Sequence, residues 1–143
     1  MKRILTSKAY AFIVCTLIAA AFGVGSAMAA PMESKEAKVT ELFSKDLTEF
    51  PGKEGLMIIV EYPPGGSDPI HRHNAPAFLY VLEGSVVMQV KGGKQVTLTP
   101  GQTFYEGAND VHIVGRNSSS TKPAKFLVFL VKDKDAPVLV LAK

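Results

Sequence analysis

The sequence predicts an all-β domain of the sandwich or barrel kind, preceded by a cleavable leader. Three observations carry that reading. From Val39 onward the chain consists of short apolar runs punctuated by Gly and Pro at close intervals. No stretch sustains a helical period, and several runs alternate apolar with polar residues at the period of two that a half-buried strand requires.

The leader comes first. Lys2, Arg3 and Lys8 precede the apolar run Ala9 to Ala21, and Ala27-Met28-Ala29 follows. This is the pattern of a secretory signal peptide over residues 1–29, with cleavage near Ala30. A membrane anchor is the competing reading, but Gly23, Gly25 and Ser26 interrupt the run and no stop-transfer pattern follows. Cys15 lies in the middle of the apolar run, a poor position for lipid attachment, so no stable anchor is expected after cleavage. The expected location is periplasmic or secreted. Removing the leader's three basic residues from the 16 Lys and Arg leaves 13, against 13 Asp and Glu. A formally neutral domain without a basic cluster argues against nucleic acid as a partner. The single Cys leaves with the leader, so no disulfide staples the fold.

Residues 30–38 read as a flexible lead-in, and 39–143 as the barrel domain. Leu56 to Tyr62 is the first clear strand, closed by Pro63-Pro64-Gly65-Gly66, and Ala77 to Glu83 is the next, ended by Gly84. Val86, Met88 and Val90 alternate with Val87, Gln89 and Lys91, predicting one buried and one mixed face. Gly92-Gly93 suits a two-residue hairpin turn, and Val96 and Leu98 return. Pro100-Gly101 leads into Thr103 to Glu106, and the turn Gly107 to Asp110 leads into Val111 to Arg116. Phe126 to Val131 is apolar at every position, so both faces should be covered, one of them by a second subunit. Val138 to Leu141 is a candidate edge strand.

Only three histidines are present. His71 and His73 stand at i and i+2 of an extended segment, so their side chains share a face and can converge on one point. His112 opens a later strand and can close a site from a second direction. Three neutral imidazoles would hold one divalent ion and leave positions open for substrate, the arrangement of catalytic metal sites. Imidazole suits Fe, Zn, Ni and Cu alike, with Mn also allowed.

Gly65, His71, Arg72, His73 and Tyr80-Val81-Leu82-Glu83-Gly84 resemble the first conserved motif of the cupin superfamily. Gly101, the turn at Gly107 to Asp110, His112 and Asn117 resemble the second. The resemblance implies a conical barrel, the double-stranded β-helix or jelly roll of two antiparallel sheets, commonly a homodimer with a metal near its open end. The cupin pattern places a glutamate ligand where this chain has Ala77, and a proline-containing turn where it has Gly107-Ala108. What remains resembles the three-histidine cupins, in which iron(II) binds a chelating substrate and dioxygen. Without the carboxylate the site would carry about +2, favouring an anionic bidentate substrate. Counting by twos places 71, 73, 77, 79 and 81 on the lumen face with Phe78 outward.

Gln89, Gln102 and Ala77 are candidate pocket residues, and Tyr105 and Glu106 candidate catalytic ones. Each of the four polar residues reads more often as wall or surface. Glu106 could stand in for the missing ligand or act as a general base. Two functions follow: an exported metal-dependent enzyme of the dioxygenase type, with isomerase or lyase chemistry behind it, acting on a small oxygenated or aromatic molecule, or a non-catalytic module that binds a small ligand or metal. A purely structural role for the histidines is the third.

Overall fold

Strict alternation of burial along two long strands sets the architecture. The computed structural model describes residues 35–143, so the expected leader and its cleavage site lie outside the described residues. The strands are β1 (Lys38–Asp46), β2 (Lys53–Tyr62), β3 (His71–Arg72), β4 (Ala77–Glu83), β5 (Val86–Val90), β6 (Val96–Leu98), β7 (Thr103–Glu106), β8 (His112–Asn117), β9 (Ala124–Asp133) and β10 (Val140–Leu141). One sheet runs β1-β2-β9-β4-β7 and the other β10-β3-β8-β5-β6. Neighbouring strands pair antiparallel throughout, and no helix occurs among the described residues. The all-β fold of two antiparallel sheets is the one expected.

The core sits between the sheets. Leu56, Ile58 and Val60 of β2, Leu79 and Val81 of β4, and Leu130 of β9 are all buried in it. Each such side chain contributes roughly 1.5–3 kcal/mol by leaving water. Tyr62 closes this layer against Phe126, edge to face at 5.1 Å. Asn117, at the far end of β8 from His112, ties two loops together. Its side-chain amide donates to Pro63 O at 3.0 Å and Lys122 O at 2.8 Å, and its Oδ1 accepts from Ser119 N at 2.9 Å. A buried polar side chain with every partner satisfied specifies those loops.

Several sequence expectations change. β1 begins at Lys38, inside the expected lead-in, and pairs with β2 along its length. The turn after β5 is longer than two residues, because pairing resumes only at Met88–Val96. Gly92 alone takes a positive φ, at 82°, and Gly93 N donates to Val90 O at 2.9 Å. Val86, Val87 and Met88 are all buried, so β5 has no mixed face at its start. Lys132 is buried as well. Its ammonium meets the Glu54 carboxylate, Asp133 O at 3.2 Å and Ala136 O at 2.7 Å, which fastens the segment leading to β10.

β9 is alternately buried and half-buried, so its outer face is not covered within the chain. That face joins a row across the whole sheet: Phe43 pairs with Met57, Met57 with Phe129, Phe129 with Phe78, and Phe78 with Tyr105. One end of the same face is a charged ladder in which Lys38 contacts Glu61, and Lys125 contacts both Glu61 and Glu83.

Candidate metal centre

The site is built from two cross-strand registers and one short loop. β3 pairs with β8 so that His71 stands directly opposite His112. β4 pairs with β7 so that Ala77 stands opposite Glu106. Residues opposite one another in an antiparallel pair project to the same face with their Cβ atoms about 4.5–5.5 Å apart. The methyl group of Ala77 leaves the space over this face to the longer side chain across the ladder. Glu106 therefore brings a carboxylate to the region where the expected ligand position carries alanine.

Backbone carbonyls fix the two neighbouring rings. His71 Nδ1–H donates to Pro69 O at 2.8 Å, and His73 Nδ1–H donates to Val138 O at 2.6 Å. A carbonyl can only accept, so each ring carries a proton on Nδ1, and in the neutral ring this leaves the lone pair on Nε2. Those two Nε2 atoms face each other at 3.3 Å. Two acceptors at that distance repel, whereas a cation between them would turn the repulsion into two bonds. Donors bound to a common ion at about 2.0–2.1 Å in adjacent positions are themselves roughly 3.0–3.4 Å apart, so the spacing fits.

The remaining groups agree. The atoms of His71, His73 and Glu106 that could ligate a metal lie within 4.8 Å of one another. Glu106 Oε2 is 3.7 Å from His73 Nε2, and Glu106 Oε1 is 3.4 Å from His112 Nδ1. Glu106 Oε2 and both ring nitrogens of His112 are buried without a hydrogen-bond partner. Buried orphans of this kind call for an ion or water. His112 stands beside the three-residue cluster, its ring centroid 5.0 Å from that of His71. Gly115 admits it: a Cβ there would lie 2.9 Å from His112 Cε1 and 3.0 Å from Tyr62 Oη.

Burial opposes charge at Glu106, His112 and His73. It raises the Glu106 carboxyl to about 7, with the neighbouring Asp68 and Asp110 adding to the effect. It lowers His112 to about 4 and also lowers His73. A divalent ion reverses the balance for the carboxyl, because its charge favours the ionised form.

The cavity around the cluster offers about 460 Å³, part of it open to solvent. Its walls are apolar, with Ile58, Leu79, Met88, Phe126 and Val128 among them, and Asp68 and Tyr62 add polar groups. Three sequence candidates lie outside it. Gln89 follows the inward Met88 and therefore points away, its amide donating to Gly93 O at 3.0 Å. Gln102 Oε1 accepts from Thr99 N at 2.8 Å and belongs to the turn. Tyr105 is 55 % exposed and packs on Phe78 with ring centroids 5.2 Å apart. Parity explains the last: adjacent strand residues face opposite ways, so Glu106 inward sends Tyr105 outward. Ala77 is buried in the core and serves as the clearance for Glu106. Asp68, Tyr62 and the Val138 carbonyl were not anticipated. Asp68 alone left a signal, an acidic residue three positions before His71.

Zinc uptake should displace the Glu106 proton, so affinity rises as pH rises toward the carboxyl's value and levels above it. We expect about a fivefold gain from about pH 6 to about pH 7, as the carboxyl passes from about one-tenth to about one-half ionised, measured by competition with a chromophoric chelator. Glu106→Gln should weaken binding at least about tenfold and make the profile shallower. An unchanged affinity in Glu106→Gln would contradict the assignment.

Comparison with known proteins supplies the family. Residues 58–130 match the family described as cupin domain. A search of curated proteins gave no match. Among solved structures, a conserved protein with a double-stranded β-helix domain from Klebsiella pneumoniae is similar at 16 % identity and TM-score 0.61, covering 78 % of this chain and 88 % of that one. An oxalate oxidase in complex with the substrate analogue glycolate is similar at 24 % identity and TM-score 0.59, covering 78 % and 57 %. The DMSP lyase DddQ from Ruegeria pomeroyi is similar at 24 % identity and TM-score 0.55. The match covers 62 % of this chain and 43 % of the lyase, so this chain spans less than half the length of that relative. At these identities the likeness shows the fold, and the family match over half the sequence shows the rest: the chain belongs to the cupin family.

Proposed function

We propose that the chain is an exported, metal-dependent cupin enzyme of the dioxygenase type that acts on a small oxygen-bearing molecule. The observation that carries this reading is the pair of facing Nε2 lone pairs, 3.3 Å apart, beside an orphaned buried carboxylate. His71, His73 and Glu106 would hold the ion, with His112 as the fourth donor. A bound divalent ion supplies Lewis acidity and a point of attachment for an oxygen ligand.

The chain's own residues do the rest. Leu79, Met88, Phe126 and Val128 exclude water from an apolar body and hold it over the cluster. Glu106 brings one negative charge, which lowers the formal charge from +2 to +1. This revises the sequence expectation of an anionic bidentate substrate toward a neutral or singly charged one. Two of the similar structures, the oxalate oxidase and the DMSP lyase, are enzymes. Their likeness here supports the scaffold, and the chemistry is argued from the site.

Protein purified from the periplasm should start near Ala30 by mass and retain a redox-active metal. Iron-loaded protein should consume oxygen with at least one member of a panel of catechols, flavonols and diketones. Retained ligand without oxygen uptake for any member would favour a non-catalytic binding module.

We also propose that a second copy covers the outer aromatic row. The charged ladder at its edge is already paired within the chain, so two identical faces can meet without opposing net charge. Contiguous exposed apolar surface of this kind marks an interaction site. Phe78, 48 % exposed, is the point to test. Sedimentation should show a dimer for the parent and a monomer for Phe78→Lys; a monomeric parent at micromolar concentration would refute the pairing.

A further inference from the structure

The cavity has a second polar pole that the ion does not use. Tyr62, at the end of β2, is 0 % exposed, and its hydroxyl donates to Asp68 Oδ2. Burial and the neighbouring Asp68 carboxylate push the phenol far above its ordinary range, so it stays protonated and donates its proton to the carboxylate. Asp68 is held on its other side too, its backbone N–H donating to Gly115 O at 2.8 Å. The loop is pinned further by the bridge between Ser67 and Arg116. Both Tyr62 and Asp68 line the cavity, and Asp68 Oδ1 makes no hydrogen bond among the described residues. Burial raises the Asp68 carboxyl, the Tyr62 hydrogen bond opposes that rise, and the second oxygen is left as an acceptor that a ligand donor can fill.

We propose that Asp68, positioned by Tyr62, recognises a hydroxyl on the ligand, so that the cavity selects small apolar molecules carrying a hydroxyl beside an oxygen that can reach the ion. The inference rests on the metal reading above. Charge favours a hydroxyl over an ammonium group. The ion, Glu106 and Asp68 together sum to formal neutrality, and a cationic ligand would lie close to a divalent ion. Van der Waals contact with the apolar walls accepts either chemistry, so the discrimination falls to Asp68.

The test uses aromatic ethers of the same skeleton, which differ in one donor. The zinc-loaded full domain is titrated calorimetrically with guaiacol, which has one hydroxyl and one methoxy group, and with 1,2-dimethoxybenzene, which has none. The parent should prefer guaiacol by about tenfold or more, the scale of a hydrogen bond to a charged acceptor. Asp68→Asn keeps an oxygen for the Tyr62 hydroxyl and turns an amide donor toward the cavity, inverting its polarity at nearly constant volume. The preference should then fall to within about twofold or reverse, while zinc affinity stays within about threefold of the parent. Tyr62→Phe, which keeps the ring against Phe126, should reduce the preference partially. A purely structural role would weaken both ligands alike and leave their ratio unchanged, which overturns the proposal. Loss of zinc binding in Asp68→Asn also overturns it, by making Asp68 part of the ion site. A parent that takes up no zinc sinks the metal reading and this inference with it. A parent that binds zinc and shows no preference for guaiacol sinks this inference alone.

Discussion

Two imidazole lone pairs held face to face are the constraint on which the rest of the structure turns. Neither ring is free to relieve the contact by exchanging tautomers, because Nδ1 of each is committed to a backbone carbonyl. The Pro69 carbonyl comes from the loop that precedes β3, and the Val138 carbonyl from the segment that precedes β10. That segment is fastened by the buried Lys132, whose donors are divided among Glu54, Asp133 and Ala136. A buried charge on β9 thus contributes to the orientation of His73. Outer partners of this kind set both the geometry and the basicity of metal-binding rings.

The second constraint is the placement of a carboxylate across a ladder from a small residue. In an antiparallel sheet, a carboxylate can move to the strand opposite and still reach the same point, provided the vacated position is small. Ala77 and Glu106 satisfy that condition. The same geometry makes the site a joint property of both sheets, since His71 and His112 belong to one and Glu106 to the other. Burial then raises the carboxyl toward neutrality and depresses His112, so the polar groups are poised for a cation and costly without one.

Local patterns were the legible part of the sequence. The i, i+2 spacing of His71 and His73, the inward parity of Ala77, Leu79 and Val81, and the breaker clusters each depend on neighbours along the chain, and the strands around them follow. Long-range register was not legible. Nothing in the order of residues states that position 77 faces 106, so Glu106 could be named as a substitute ligand without a reason to prefer it over Tyr105 beside it. Gln89 and Gln102 illustrate the converse: polar residues near a site satisfied their hydrogen bonds in their own turns instead. β1 escaped notice because its residues are exposed throughout and carry no burial period. The apolar run of β9 pointed to cover on both faces, and its outer face is half-buried within one chain.

The central claim is that these imidazoles and the Glu106 carboxylate share one ion. X-ray absorption fine structure of the zinc-loaded protein reads the donor set directly, because imidazole rings scatter in a recognisable way beyond the first shell. Three imidazoles and a carboxylate oxygen around a single zinc are expected, with loss of that oxygen in Glu106→Gln. A spectrum with oxygen donors alone, or one identical in parent and variant, would contradict it.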